Sequence, residues 1–170
     1  ARLRAISITL AGEVLAPGTY TVSGLTTVSQ AVFQAGGVSS IGSLRDIQVR
    51  RQGAIAARFD LYDLLMRGDA SGDIRLRSGD VVFTPVASGE VTLDGEVRRP
   101  AIYELKNGDT IRDALDMAGG LTPMAYPSSV SFKRFNSSED QGIGKTLDLS
   151  LADDLDMRLA AGDEIVVGSK

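Results

Sequence analysis

Six arginines, Arg45, Arg50, Arg51, Arg58, Arg75 and Arg77, fall within residues 45–77 of this 170-residue chain. A guanidinium presents five N–H donors in a planar fork that fits the oxygen pair of a carboxylate or phosphate, so arginines sharing one face suit an acidic saccharide or another small anion. The arginines are expected on strands or their edges, and Arg75 and Arg77, two residues apart, are spaced to project from one strand face. Arg45, Arg50, Arg51, Arg75 and Arg77 are therefore the candidate ligand-binding residues. The competing reading, protection of sheet edges and salt bridging to the many aspartates, is the one favoured for most of them.

Other chemistry finds little support. The chain has no histidine and no cysteine, which removes Ser-His-Asp and Cys-His nucleophiles, structural zinc sites and disulfides together. Asp113 with Asp116, or Asp153, Asp154 and Asp156, could supply the two acids, about 5–10 Å apart, that glycoside cleavage needs. Asp113 and Asp116, however, fall on the solvent side of an amphipathic helix, near an N-terminus that favours negative charge. No catalytic residue is assigned. Gly142, Ile143, Gly144, Lys145 and Thr146 imitate the end of a P-loop, but Glu139 stands where its first glycine is required. Residues 136–144 read instead as a polar loop. Asp69, Ser71 and Asp73 resemble the opening of a calcium loop whose glycine is misplaced and whose closing glutamate is missing, so a turn is expected. No metal and no cofactor is expected. Five phenylalanines, four tyrosines and no tryptophan make a stacking pocket of lectin type an unlikely design.

With 18 basic and 22 acidic residues the net charge is -4, and nucleic acid is not an expected partner. An apolar content of 43% supports a real core. The first residue is Ala1 rather than Met and no run approaches a membrane helix, so the sequence is expected to be a piece of a longer protein.

What positions these residues is a repeat. Leu10, Gly12, Glu13, Val14, Pro17 and Tyr20 recur as Leu93, Gly95, Glu96, Val97, Pro100 and Tyr103, each 83 residues later. Thr9, Thr27, Ala31, Ala35, Gly36 and Gly37 recur at the same offset as Thr92, Thr110, Ala114, Ala118, Gly119 and Gly120, which makes 12 identities between positions 9 and 38. Chance would give about two. After Arg51 and Arg134 the copies diverge, and Leu76, Gly79 and Asp80 restore the frame at Leu159, Gly162 and Asp163. Compensating indels around a fixed frame are what surface loops tolerate, so two domains are expected, 1–87 and 88–170.

Each copy spells out the same elements. Ile6, Ile8 and Leu10 alternate with polar residues as a half-buried strand, repeated by Val91, Leu93 and Val97. Pro17-Gly18 and Arg99-Pro100 turn into a short strand bearing Tyr20 or Tyr103, whose ring packs over the strand exit with its hydroxyl left in water. Thr27 with Gln30, and Thr110 with Asp113, form capping boxes. Behind them Val28, Ala31, Val32 and Ala35, or Ile111, Ala114, Leu115 and Ala118, make a helical stripe that faces a sheet. Gly36-Gly37 and Gly119-Gly120 end the helices in left-handed conformations. A strand pair turning at Gln52-Gly53, a short helix (61–66) and a last strand containing Val82, or Val166 in the second copy, complete each unit. Strand, strand, helix, strand, strand, short helix, strand is the order of a β-grasp, a mixed sheet curled around one helix, and the fold class is α+β with two of these in tandem. Gly12, Pro17, Tyr20, Gly36, Gly37, Gly95, Pro100, Tyr103, Gly119 and Gly120 are read as structural motif residues.

The series G-E-V-x-x-P-x-x-Y, T-[VI]-x-x-A, A-G-G and L-x-x-G-D, present twice, resembles the soluble-ligand-binding β-grasp domains of Wza-type outer-membrane polysaccharide export proteins. Residues 42–47 and 60–65 are similar to the larger, multi-module members. The resemblance implies a binding and assembly part rather than an enzyme, in a periplasmic protein attached to the outer membrane. It implies polysaccharide as the partner, a homo-oligomeric ring that guides the polymer to a pore, and contact with an inner-membrane polysaccharide co-polymerase. The alternative is a soluble periplasmic module for an acidic saccharide. The family's export-motif domain, lipidated cysteine and pore helix are absent from these 170 residues, so pore formation is not expected of them.

Overall fold

The computed structural model describes residues 4–135 and 145–170, and the chain divides into two units, Ala1–Ala87 and Ser88–Lys170. The P-loop imitation and the loop expected at 136–144 lie outside the described residues. Among the described residues no helix is long and apolar enough to cross a membrane, which leaves β-barrel spans untouched.

The first unit runs β1 (Ala5–Gly12), β2 (Gly18–Ser23), α1 (Val28–Gln34), β3 (Ile47–Arg51), β4 (Ala54–Phe59), α2 (Leu61–Arg67) and β5 (Val81–Thr84). Its strands lie in the order β2-β1-β5-β3-β4. Only the central β1–β5 pair is parallel, and the others are antiparallel. Parallel neighbours need a long crossover, and here everything from β2 to α2 lies between them. Period-two alternation puts Ile8, Leu10, Val49 and Val82 on one face, where they meet Val28, Ala31, Val32 and Ala35 of α1 and its C-cap, all at most 1% exposed. Burying a Val or Leu side chain contributes about 1.5–3 kcal/mol, so this single layer of contacts dominates the stability of the unit.

Both ends of α1 are chemically specified. At the start, Gln30 accepts from the Thr27 N–H at 3.0 Å, and Asp73, from the segment before β5, accepts from the Ser29 N–H at 2.8 Å. At the end, Gly36 and Gly37 have φ of 89° and 92°. The Gly37 N–H reaches Val32 and the Gly36 N–H reaches Phe33, both at 3.0 Å, the paired bonds of a Schellman motif. The β3–β4 hairpin turns at Gln52 and Gly53, both at positive φ (53° and 78°) as a two-residue primed turn requires.

The second unit repeats the plan with β6 (Glu90–Gly95), β7 (Ala101–Glu104), α3 (Ile111–Met117), β8 (Ala125–Arg134), β9 (Lys145–Leu149), α4 (Leu151–Asp154) and β10 (Glu164–Ser169). Its order, β7-β6-β10-β8-β9, is the same permutation. In α3 the capping box is complete, with the Thr110 N–H donating to Asp113 at 2.9 Å. Gly119 and Gly120 close that helix onto Asp116 and Leu115.

The coordinates correct three expectations. The partner of Val82 is Ile165, not Val166: alternation buries Ile165 and Val167 and leaves Val166 41% exposed. Val97 lies beyond β6 in an isolated bridge to Leu121, as Val14 bridges Val38, because the strand has already turned at the glycine before it. The tyrosine hydroxyls are not left to water. Tyr20 donates to the Ala16 carbonyl and Tyr103 to the Arg99 carbonyl, four residues upstream in each copy, which pins the turn into β2 and β7.

Candidate functional site

The G-E dipeptide that opens each motif is an architectural device. Gly12 has φ 81°, and a Cβ there would lie 2.2 Å from the Thr84 carbonyl oxygen. Its absence lets the chain close on β5, where the Glu13 N–H donates to that same oxygen at 2.8 Å. Gly95 repeats this against Val167, with Glu96 donating to its carbonyl at 2.9 Å. The glutamate side chains then receive hydroxyls from the loop after the helix, Ser39 to Glu13 at 3.1 Å and Thr122 to Glu96 at 2.5 Å. A ligand lip built on these residues would have to break these bonds.

The candidate arginines separate into different environments. Arg45 lies in the loop before β3 rather than on a strand, 5% exposed, with its Nε 3.1 Å from Asp60 and its guanidinium 5.0 Å from the centre of the Tyr62 ring. Asp60 also caps α2, accepting from the Tyr62 N–H, so this buried cluster joins the loop to the helix. Arg51 makes a two-pronged bond to Asp80, 2.7 Å on each side. Burial pushes the Asp80 carboxyl up, but the hydrogen bonds from the Arg51 side chain and the Arg77 N–H, with both positive charges, hold it below the usual aspartate range. The Arg51 guanidinium is raised in turn by its hydrogen bond to Asp80. The pair recurs as Arg134 and Asp163 at 3.1 and 2.9 Å. Asp80 and Asp163 also each accept a backbone N–H three residues back, from Arg77 and Ala160.

Arg75 and Arg77 are exposed, but neither stands in a strand. Arg75 forms an isolated bridge with Thr27 and Arg77 enters the turn before β5, because the segment there closes over the start of α1. The register aligns Arg75 with Arg158, which bridges Thr110, and Asp73 with Asp156. Both identities sit at the 83-residue offset in the sequence. Asp73 caps α1, whereas Asp156 stands 3.4 Å from Arg112, the residue that replaces Ser29. Asp69, the other member of the calcium-like triplet, accepts from the Ser71 N–H at 3.0 Å. The carboxylates weighed for glycan cleavage are engaged locally: Asp113 in the cap of α3, and Asp154 accepting from the Ser150 N–H.

Arg50 is placed differently. It is on the sheet face opposite α1, its guanidinium 4.6 Å from the centre of the Phe83 ring. Gln48, only 6% exposed, accepts from its Nε and Nη2 at 3.2 and 3.0 Å. Gln48 donates in turn to Asp46 at 3.1 Å, and Asp46 receives Arg58 at 2.6 Å. The chain of contacts Arg58, Asp46, Gln48, Arg50, Phe83 lies along one face of the first sheet. Of the five candidates this face gathers Arg50 alone. Gln48 and Phe83 escaped the sequence reading, although the spacing Gln48-x-Arg50 was the signal that both share a strand face.

A sheet order of 2-1-5-3-4 around one helix, found twice, defines the class: tandem β-grasp domains carrying no assembled catalytic constellation among the described residues. The SLBB domain family matches over residues 7–59 and 91–143, one stretch in each unit. The chain belongs to that family. It is also 32% identical over 118 residues to the EPS I polysaccharide export outer membrane protein EpsA of Ralstonia solanacearum, and 31% identical over 118 residues to its namesake in Ralstonia nicotianae. Each alignment covers 67% of this chain and 31% of the relative, so the chain spans about a third of the length of those proteins.

Proposed function

We propose that the chain is the periplasmic part of a polysaccharide export protein attached to the outer membrane, acting in assembly of an oligomer and in guiding the polymer toward a pore. The observation that carries this reading is the pair of SLBB matches combined with an alignment, crossing much of the chain, to two proteins named for polysaccharide export. The geometry agrees with a binding and assembly role: the polar side chains cap helices, pin turns and pair with one another. The partners are polysaccharide, further copies of the same chain in a ring, and an inner-membrane polysaccharide co-polymerase. A heterologous contact repeated around an axis closes into such a ring.

The test is deletion of the gene in its native host, together with imaging of the full-length protein in detergent. Loss of surface polysaccharide and a closed ring are the expected results. Unchanged polysaccharide with a strictly monomeric protein would overturn the reading. A second reading, a module that holds an acidic saccharide, is favoured by the Arg50–Phe83 stack on the open sheet face.

A further inference from the structure

Each β-grasp sheet has one face under its helix and one open face, and the two open faces of this chain are electrostatic opposites. In the first unit the strand registers lay out two cross-sheet rows. One is Ala11, Phe83, Gln48 and Arg58, and the other is Thr19, Thr9, Val81, Arg50 and Ile55. Two cations stand in these rows and no carboxylate does. Asp46, at the margin, is held by Arg58 and Gln48. In the second unit the matching rows read Asp94, Val166, Ser131, Asp148 and Ile102, Thr92, Glu164, Lys133, with Glu90 opposite Glu104 beside them. Five carboxylates there face a single lysine. The whole units follow suit: residues 1–87 hold nine basic and seven acidic side chains (net +2), and residues 88–170 hold nine and fifteen (net -6).

We infer that the open sheet face of the first unit, centred on Arg50 and Phe83, is a binding site for a carboxylate-bearing saccharide, and that the second unit has no such site. This rests on the polysaccharide reading above for the kind of ligand and adds which chemistry it carries and where it binds. Gln48 engages Nε and Nη2 of Arg50, fixing the plane of the fork against the ring while N–H donors remain at its outer edge. The exposed side of this platform offers an apolar surface to a sugar ring and N–H donors to its carboxylate. Arg58, exposed and tied only to an exposed Asp46, exchanges that weak surface pair for a second carboxylate at little cost. Thr9 and Thr19 supply hydroxyls along the next row. In the second unit Lys133 replaces Arg50, Val166 replaces Phe83, and Asp148 and Glu164 would repel the same ligand.

The experiment titrates the 170-residue chain with hexameric oligogalacturonate and, in parallel, with maltohexaose, following backbone amide shifts by NMR at low and high salt. Expected are shifts at Thr9, Gln48, Arg50 and Phe83 with oligogalacturonate alone, weakened by salt. Arg50→Ala and Phe83→Val should each lower affinity about tenfold or more, while Arg98→Ala, in the second unit, leaves it unchanged. Arg50→Lys copies the residue of the second unit, so it controls for folding; it should keep part of the affinity through its charge. Absence of shifts, equal shifts with maltohexaose, or full affinity in Arg50→Ala overturns the proposal. Shifts on this face that grow with protein concentration and need no saccharide would assign it to a second copy and overturn it as well. Deletion of the gene keeps the two readings apart. Lost surface polysaccharide with no oligogalacturonate binding defeats the site but not the export role, and intact polysaccharide with binding does the reverse.

Discussion

Asp80 and its copy Asp163 are fully buried and each is gripped by an arginine whose own side chain is partly in water, 24% exposed for Arg51 and 42% for Arg134. Removing one partner of a fully buried pair costs about 3–5 kcal/mol, and the exposure of Arg51 lowers the expectation for Asp80→Asn to about 2–3 kcal/mol. Because the folded carboxyl titrates below its ordinary 3.8, the folded state binds fewer protons than the unfolded state in that region. Its contribution is complete above about pH 4 and disappears as pH falls through the lowered value. Urea midpoints of wild type and Asp80→Asn should thus be well separated at neutral pH and converge in acid; a constant gap from pH 7 to pH 2 would contradict the linkage. Thr84 gives the opposite sign. Its hydroxyl is buried without a hydrogen-bond partner among the described residues, and Val167 stands at the same place in the second unit. Thr84→Val should stabilise the first unit by about 1 kcal/mol, read as a higher urea midpoint with unchanged slope.

The elements are held by their ends. Gly12 combines positive φ with a carbonyl where a Cβ would be, so Gly12→Ala should cost at least about 2 kcal/mol and speed hydrogen exchange in β1 and β5. Gly37, with φ 92° but nothing within 4 Å of a Cβ, isolates the conformational part, and Gly37→Ala should cost only about 1–2 kcal/mol. Equal losses at the two positions would show that the close approach of β1 to β5 contributes nothing. At the N-terminus of α1 the capping carboxylate comes from Asp73, 44 residues beyond Ser29. Asp73→Ala should therefore fray α1 and release the segment before β5 together, visible as coupled exchange of the Ser29 and Leu76 amides.

On the scale of the chain, each unit has its own sheet, its own helix and its own buried residues, and we expect residues 1–87 and 88–170 each to fold when produced alone. Amide spectra of the isolated pieces that overlay on those of the whole chain would agree; a collapsed, undispersed spectrum from either would not. The charge asymmetry between the units predicts that raising salt weakens polymer binding without changing the fold of either one.

The twofold repeat, the helical stripes, the Gly-Gly stops and the β-grasp order were all written in local periodicity, since alternation and capping depend on residues at most a few positions apart. Tertiary structure decided what the arginines do. Arg45, Arg50 and Arg51 lie within seven positions of one another, yet one is buried on Asp60, one is stacked on Phe83 in the open and one is clamped by Asp80. Their partners lie 15 to 33 residues away, and only the parallel pairing of β1 with β5, which brings β5 beside β3, sets which face each guanidinium meets.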